Sequence, residues 1–222
     1  MTKINLENAE KITIKLFEAV EKSNLIVAGK SEAQLSLEVC NFASEIFGIE
    51  DHWHKKIVRA GKNTLCTYPE NPPGAIIQED DVVILDFGPI VLGYEADLGR
   101  TYVIGENASK LKIKDAVEKA WYETQHWYLK QTALKSSDLF QYVVDKASEY
   151  GYVFGGEIAG HIVGRFPHEQ PDDPKSLALD IHPENHNDLF LLDSNGNERH
   201  WILELLFIDE ENQIGGYFEQ LL

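Results

Sequence analysis

Four acidic residues stand inside strongly apolar runs. Asp86 follows VVIL, Asp97 precedes LGRTYVIG, Glu204 lies in WILEL and Glu219 in GGYFEQLL. A carboxylate in an apolar strand is costly unless something cationic neutralises it. Two histidines in GHIVGRFPHEQP, His161 and His168, can join the acids. Convergence of these side chains on a pair of metal ions is the most economical explanation of the pattern. Any one of the acids alone would more simply face solvent on an edge strand.

The acids fall in two hairpin signals. Between Asp86 and Asp97 lies a Gly-rich turn, Gly88 to Gly93, flanked by apolar runs, so residues 82–104 read as a β-hairpin. A turn centred near Val91 and Leu92 sets Asp86 opposite or diagonal to Asp97. Cross-strand neighbours share a face with Cβ atoms about 4.5–5.5 Å apart, so two carboxylates would repel unless a dication bridges them. At the C-terminus, HWILELLFI and IGGYFEQLL flank the polar DEENQ. With the turn at Glu211 and Asn212, Glu204 falls opposite Glu219.

Around these hairpins the pattern is helix, helix, hairpin, twice. Residues 5–23 and 31–47 have helical periodicity, with Ser31 and Gln34 as a capping box. Residues 109–134 and 138–150 read as two further helices, and strands over 152–166 carry the histidines. No linker or low-complexity tract is visible, so 1–222 reads as a single catalytic domain.

In this order the residues resemble the pita-bread metallopeptidases: methionine aminopeptidases, Xaa-Pro aminopeptidases, prolidases and the related creatinase. The resemblance runs from about Asn24–Lys30 to Leu222. Asp86, Asp97, His161, Glu204 and Glu219 match the five family metal ligands, and His168 matches the family's second histidine. The resemblance implies an α+β pita-bread fold, a pseudo-twofold antiparallel sheet covered by helices, with the metal site between the halves. It implies a cytoplasmic hydrolase that removes the N-terminal residue of peptides or dipeptides, through a hydroxide bridging two divalent ions. Glu204 would move the water's proton, and His168 would donate to the substrate carbonyl. The oxygen-rich ligand set suits manganese, with iron, cobalt or zinc as substitutes. PHEQP and TYPEN lie nearer the Xaa-Pro side. The length leaves no room for the extra N-terminal domain usual in Xaa-Pro aminopeptidases and prolidases.

Two departures stand out. Family peptidases carry a further histidine before the first aspartate, and Thr67 or Tyr68 occupies that place here. The polar stretch from Pro171 to Arg199, with PDDP, HPENH and DSNGNE, resembles an insertion suited to a lid or an oligomer contact. Loss of the histidine keeps a non-catalytic peptide- or protein-binding module open as an alternative. A creatinase-like C–N hydrolase is disfavoured, because creatinase lacks the metal carboxylates.

The remaining features take plainer readings. His52 and His54 flank Trp53 and read as a structural pair, although they could replace the missing histidine. His182 and His186 read as solvated loop residues. Trp121, Tyr122, His126, Trp127 and Tyr128 sit at helical spacing and read as core or subunit interface, which hints at a homodimer. A net charge of −17 disfavours nucleic acid and anionic membranes as partners. Cys40 and Cys66 make no disulfide framework and read as reduced thiols, Cys40 in the core and Cys66 as buried filler with a role beside the altered histidine position left open. The N-terminus lacks the apolar stretch of a signal peptide, and no run reaches the ~20 residues of a membrane span.

Overall fold

A computed structural model of the chain describes residues 2–222 except 172 and 174. Asp172 and Pro174, in PDDP, lie outside the described residues. The helices are α1 (Thr2–Lys22), α2 (Glu32–Phe47), α3 (Ala108–Tyr128) and α4 (Ser136–Glu149). The strands are β1 (Ile57–Ala60), β2 (Val82–Phe87), β3 (Ile90–Val91), β4 (Tyr94–Glu95), β5 (Leu98–Val103), β6 (Val153–Phe154), β7 (Ile162–Val163), β8 (His200–Asp209) and β9 (Ile214–Leu221).

Local chemistry sets the helix ends. Ser31 Oγ accepts the Gln34 N–H at 3.1 Å, satisfying one donor of the first turn. The Gln34 side chain turns to Glu38 instead of back to Ser31, so only half of the expected capping box forms. Gly48 closes α2 at φ 65°, with the Ile49 N–H returned to the Ala43 carbonyl. Helix α3 ends at Tyr128 rather than continuing to 134. Lys130 and Gln131 donate three residues back, tightening the chain into a turn, and the Leu134 carbonyl accepts from Leu189. The apolar periodicity of Leu134 therefore belongs to a contact with the 179–189 segment.

Seven of the strands form one antiparallel sheet in the order β1-β2-β5-β9-β8-β6, with β7 also on β8, while β3 and β4 pair only with each other. Alternation assigns the two faces. On the β1-β2-β5 half, Val83, Leu85, Phe87, Leu98 and Tyr102 pack with Leu16, Phe17 and Val20 of α1 and Leu35 and Val39 of α2. On the β8-β9 half, Leu203, Leu205, Phe207 and Phe218 pack with Ile113, Val117 and Trp121 of α3 and Leu139 and Val143 of α4. The helices thus cover one face by the same rule twice. The opposite face carries Ile84, Asp86, Glu204, Leu206, Tyr217 and Glu219, all on the wall of one cavity.

The expected strands over 152–166 are only β6 and β7. Gly155, Gly156 and Gly160 interrupt the run. Gly160 has φ 139°, and a Cβ there would lie 1.9 Å from the Ile202 carbonyl oxygen. Only glycine lets this backbone press against β8 and turn His161 toward the cavity.

Candidate metal centre

The register of the sheet aligns the acids. Asp86 pairs with Gly99, Gly99 with Glu219, and Glu219 with Glu204. Three carboxylates therefore lie in one row across four neighbouring strands, on the face away from the helices. Gly99 leaves the gap in that row, since a Cβ there would lie 2.2 Å from the Tyr217 ring and 2.8 Å from the Glu219 Cβ. Asp97 precedes β5 and sits diagonal to Asp86. The turn of this hairpin is Leu92–Gly93, with φ values of 53° and 79°. It is displaced from the Val91–Leu92 centre expected from sequence, which decides between the opposite and diagonal arrangements. The second hairpin has the expected register, with Glu204 facing Glu219.

Two imidazoles close on Asp97. His161 Nε2 lies 3.3 Å from Asp97 Oδ2 and 3.9 Å from Glu219 Oε1. His54 Nε2 lies 2.9 Å from Asp97 Oδ1 and 3.8 Å from Asp86 Oδ1. Tyr217 donates its hydroxyl to Glu204 Oε2 at 2.6 Å. Among the described residues, Asp86 Oδ1 and Glu219 Oε2 are buried without a hydrogen-bond partner. Buried carboxylate oxygens without donors are groups that a bound cation would satisfy. Two groups of potential ligand atoms, His54/Asp86/Asp97 and Asp97/His161/Glu219, each fall within 4.8 Å of one another. The residues present therefore fit a pair of divalent ions.

The electrostatics point the same way. Burial pushes the Asp86 carboxyl up to about 7, with His54 opposing. Burial also raises Glu204, against His161, and raises Glu219 far above the carboxylate range, with Asp97 adding to the effect. Burial disfavours the Asp97 charge, yet His54 and His161 hold that carboxyl well below the usual range. Both rings respond: burial opposes their protonation, and Asp97 overcomes it, reaching about 10 at His54 and about 9 at His161. These acids gain little from one another and much from a cation.

His168 is held by a carboxylate that the sequence reading missed. Glu95 is 1% exposed. It accepts the backbone N–H groups of Gly164 and His168 at 2.9 and 3.0 Å, and its Oε2 lies 2.9 Å from His168 Nδ1. This leaves His168 Nε2 for the cavity. The only signal for Glu95 was its place in YEAD, two residues before the chemistry-bearing Asp97.

Several plain readings need correction. The WH pair splits: His52 packs on Phe87, with ring centroids 5.8 Å apart, and burial lowers its ring to about 4, whereas His54 enters the site. Tyr68 and Thr67 both line the cavity, but the Thr67 hydroxyl is tied to Glu70, and only the Tyr68 ring meets His54, at 5.9 Å. Cys66 lies on the cavity wall rather than in the core. The 171–199 stretch supplies Pro171, Ser176, Leu179 and Asp180 to the cavity wall and is tied to the body of the fold. His161 bridges to Asp180, Ile181 exchanges backbone hydrogen bonds with Ala159 and Gly160, and Leu179, Ile181 and Leu189 are buried. Arg199 forks onto Glu169 at 2.8 and 3.0 Å, fixing the PHEQP loop. On the aromatic helix, Trp121 is core, Trp127 stacks on Tyr142 and Tyr128 on Phe190.

The cavity measures about 430 Å³, within the usual range for small-ligand sites. Trp53, Ile57, Ile158, Ile162, Leu179 and Leu206 supply apolar wall. Among the described residues, no helix is long and apolar enough to cross a membrane.

Comparison with known proteins places this geometry. Residues 5–190 match the family model for metallopeptidase family M24. The methionine aminopeptidase of Aquifex aeolicus is 32% identical over 111 residues, 50% of this chain and 42% of that one. A putative Xaa-Pro aminopeptidase of Mycoplasma genitalium is 30% identical over 114 residues, 51% and 31% of the two chains. The chain spans less than half the length of the curated relatives it matches. The crystal structure of a prolidase from Thermococcus sibiricus superposes with a TM-score of 0.73 at 26% identity, over 96% of this chain and 53% of the other. A methionine aminopeptidase from Rickettsia prowazekii shares the fold, with a TM-score of 0.70 at 15% identity over 98% and 91%.

Proposed function

The chain belongs to metallopeptidase family M24, and we propose that it is a metal-dependent exopeptidase that cleaves the N-terminal residue from short peptides or dipeptides, with proline after the scissile bond preferred. The observation that carries the reading is the row Asp86–Gly99–Glu219–Glu204, flanked by Asp97 and His161, with two buried oxygens lacking donors. Asp86, Asp97, His161, Glu204 and Glu219 would hold two divalent ions, and manganese fits so oxygen-rich a set. When bound, such a pair polarises a carbonyl and lowers the pKa of a coordinated water.

The chain's own groups divide the remaining work. Glu204 is held at Oε2 by Tyr217, so Oε1 is placed to take the proton of the attacking water and return it to the leaving amine. Burial favours its protonated form, which eases acceptance of the water's proton. Glu95 fixes the His168 ring through Nδ1, and Nε2 would donate to the substrate carbonyl as charge builds there. Water adds to the carbonyl carbon, the C–N bond breaks, and the amine leaves with the transferred proton. The apolar wall would receive the side chains of the substrate.

The prolidase and Xaa-Pro relatives support proline, and the methionine aminopeptidase relatives support the competing specificity. Thr67 or Tyr68 at the place of the family's first histidine favours a second reading as a peptide-binding module without turnover. The test is a panel of Met-Xaa, Xaa-Pro and Xaa-Pro-Xaa peptides with Mn-supplemented protein. Release of the N-terminal residue from the proline peptides is expected. Binding of metal and peptide with no cleavage of any member would establish the module instead.

A further inference from the structure

His54 is placed too deliberately for a structural residue. It sits between α2 and β1, more than thirty positions before Asp86. Its side chain is 7% exposed. One face of the ring occupies the space that Gly88 leaves open: a Cβ at 88 would lie 2.1 Å from His54 Cδ2 and 2.2 Å from Nε2. Trp53 packs against the ring with centroids 4.5 Å apart, and Trp53 is itself pinned by Nε1 donating to the Ala96 carbonyl at 3.0 Å. Gly88 on one side and the Ala96-pinned Trp53 ring on the other therefore fix the rotamer.

The ring's hydrogen bonding is that of a metal ligand. Nδ1 lies 2.7 Å from the Lys55 carbonyl oxygen. A carbonyl only accepts, so Nδ1 carries hydrogen, and Nε2 is directed at Asp97 and Asp86. Ligating histidines characteristically donate the second ring nitrogen to a carbonyl or carboxylate, which fixes tautomer and orientation. His161 repeats the device. Its Nδ1 lies 3.0 Å from the carbonyl of the next residue, Ile162, and its Nε2 faces Asp97. Asp97 thus presents Oδ1 to an imidazole from the N-terminal half and Oδ2 to one from the C-terminal half.

We propose that His54 is a sixth protein ligand of the metal pair, joining Asp86 and Asp97 around one ion as His161 joins Asp97 and Glu219 around the other. The inference rests on the metal-centre reading and deepens it. The five-ligand pattern implied by the family contains a single imidazole, and here each ion has its own. A second nitrogen donor moves the site from a preference for hard, oxygen-liking ions toward zinc, cobalt and iron. It also gives the chain a ligand whose ring meets Tyr68, beside the Thr67–Tyr68 place where the family's first histidine is lost.

The test is metal binding, read without turnover. Stripped full-length protein is titrated with Co(II) by calorimetry and visible absorption, and the Mn(II)-loaded protein is examined by pulsed EPR for coupling to imidazole nitrogen. The unaltered chain should take up two ions and show two nitrogen ligands. His54→Gln should lose one nitrogen coupling and weaken one ion by at least about tenfold, the effect reached even by outer-shell changes. His161→Gln, which keeps His54, should retain one nitrogen coupling, so the inference stands on this variant too if His54→Gln does not fold. Two ions bound by His54→Gln with unaltered affinities and couplings overturn the sixth ligand and leave the metal centre intact. Loss of every nitrogen coupling in His161→Gln does the same. No uptake of Co(II) by the unaltered chain overturns both readings.

Discussion

Replacing Asp86 by asparagine should stabilise the protein when metal is removed and weaken it, relative to the parent, when metal is supplied. Asp86 is 6% exposed, and its carboxyl is pushed from an ordinary 3.8 up to about 7. Below pH 3.8 it is neutral in folded and unfolded chains alike and costs nothing. As pH rises the unfolded chain ionises first, so stability falls between about 4 and about 7 and stays low above that. The difference amounts to roughly 4 kcal/mol against folding at pH 8. An amide removes the charge but brings a donor of its own, and an unsatisfied buried donor costs about 1–3 kcal/mol. The net gain is therefore about 2 kcal/mol, or roughly 4–8 °C in Tm for a chain of this size. With metal at a hundredfold excess over its Kd, the parent gains about 2.7 kcal/mol, and Asp86→Asn, lacking a chelating oxygen, gains much less. Thermal unfolding in EDTA and in excess Mn(II), at pH 4.5 and pH 8, reads all of this. The order of the two proteins should reverse between EDTA and metal at pH 8, and the EDTA gap should shrink at pH 4.5. An Asp86→Asn protein that melts below the parent in EDTA at pH 8 would refute the argument that this carboxylate is held against its own electrostatics for a cation.

Other expectations follow from the same contacts. Glu95→Ala should destabilise by about 3 kcal/mol, because it strands buried donors on Gly164 and His168; denaturant unfolding of Glu95→Ala beside Glu95→Gln, which keeps an acceptor, measures it. His168→Ala should lower kcat by about 10²–10³ without changing metal stoichiometry, as loss of an oxyanion donor does, and steady-state kinetics beside metal analysis separates the two. Tyr68→His should raise turnover and Thr67→His should not, since only Tyr68 meets His54; the peptide panel compares them. A homodimer is expected, with light scattering giving about twice the 25.2 kDa chain mass, and a mass that stays at one chain across micromolar concentrations removes that expectation.

How far the sequence discloses this molecule differs from part to part. The C-terminal hairpin was legible because equal apolar runs flank a polar turn, which fixes the register and sets Glu204 against Glu219. The first hairpin was legible to within one position. Leu92–Gly93, with glycine second, is the better two-residue turn because both φ angles are positive, and that shift makes Asp86 and Asp97 diagonal. His54 was visible but undecided, because alternation within HWH says nothing about a partner beyond residue 85. Its placement depends on Gly88, whose missing Cβ reads locally as turn chemistry. Glu95 was hidden for a similar reason: its partners, Gly164 and His168, come from the other half of the chain. The polar 171–199 stretch read as an insertion because Leu179, Ile181 and Leu189 are scattered among charges, yet those three side chains are buried.

The central claim is that the row of carboxylates on the open face of the sheet exists to hold two metal ions. The most direct measurement is anomalous diffraction from crystals of the protein soaked in Mn(II). The account predicts two peaks in the cavity, with Asp97 and Glu219 between them, Asp86 at one ion and His161 and Glu204 at the other. Crystals that show no anomalous density between Asp86, Asp97 and Glu219 would contradict it.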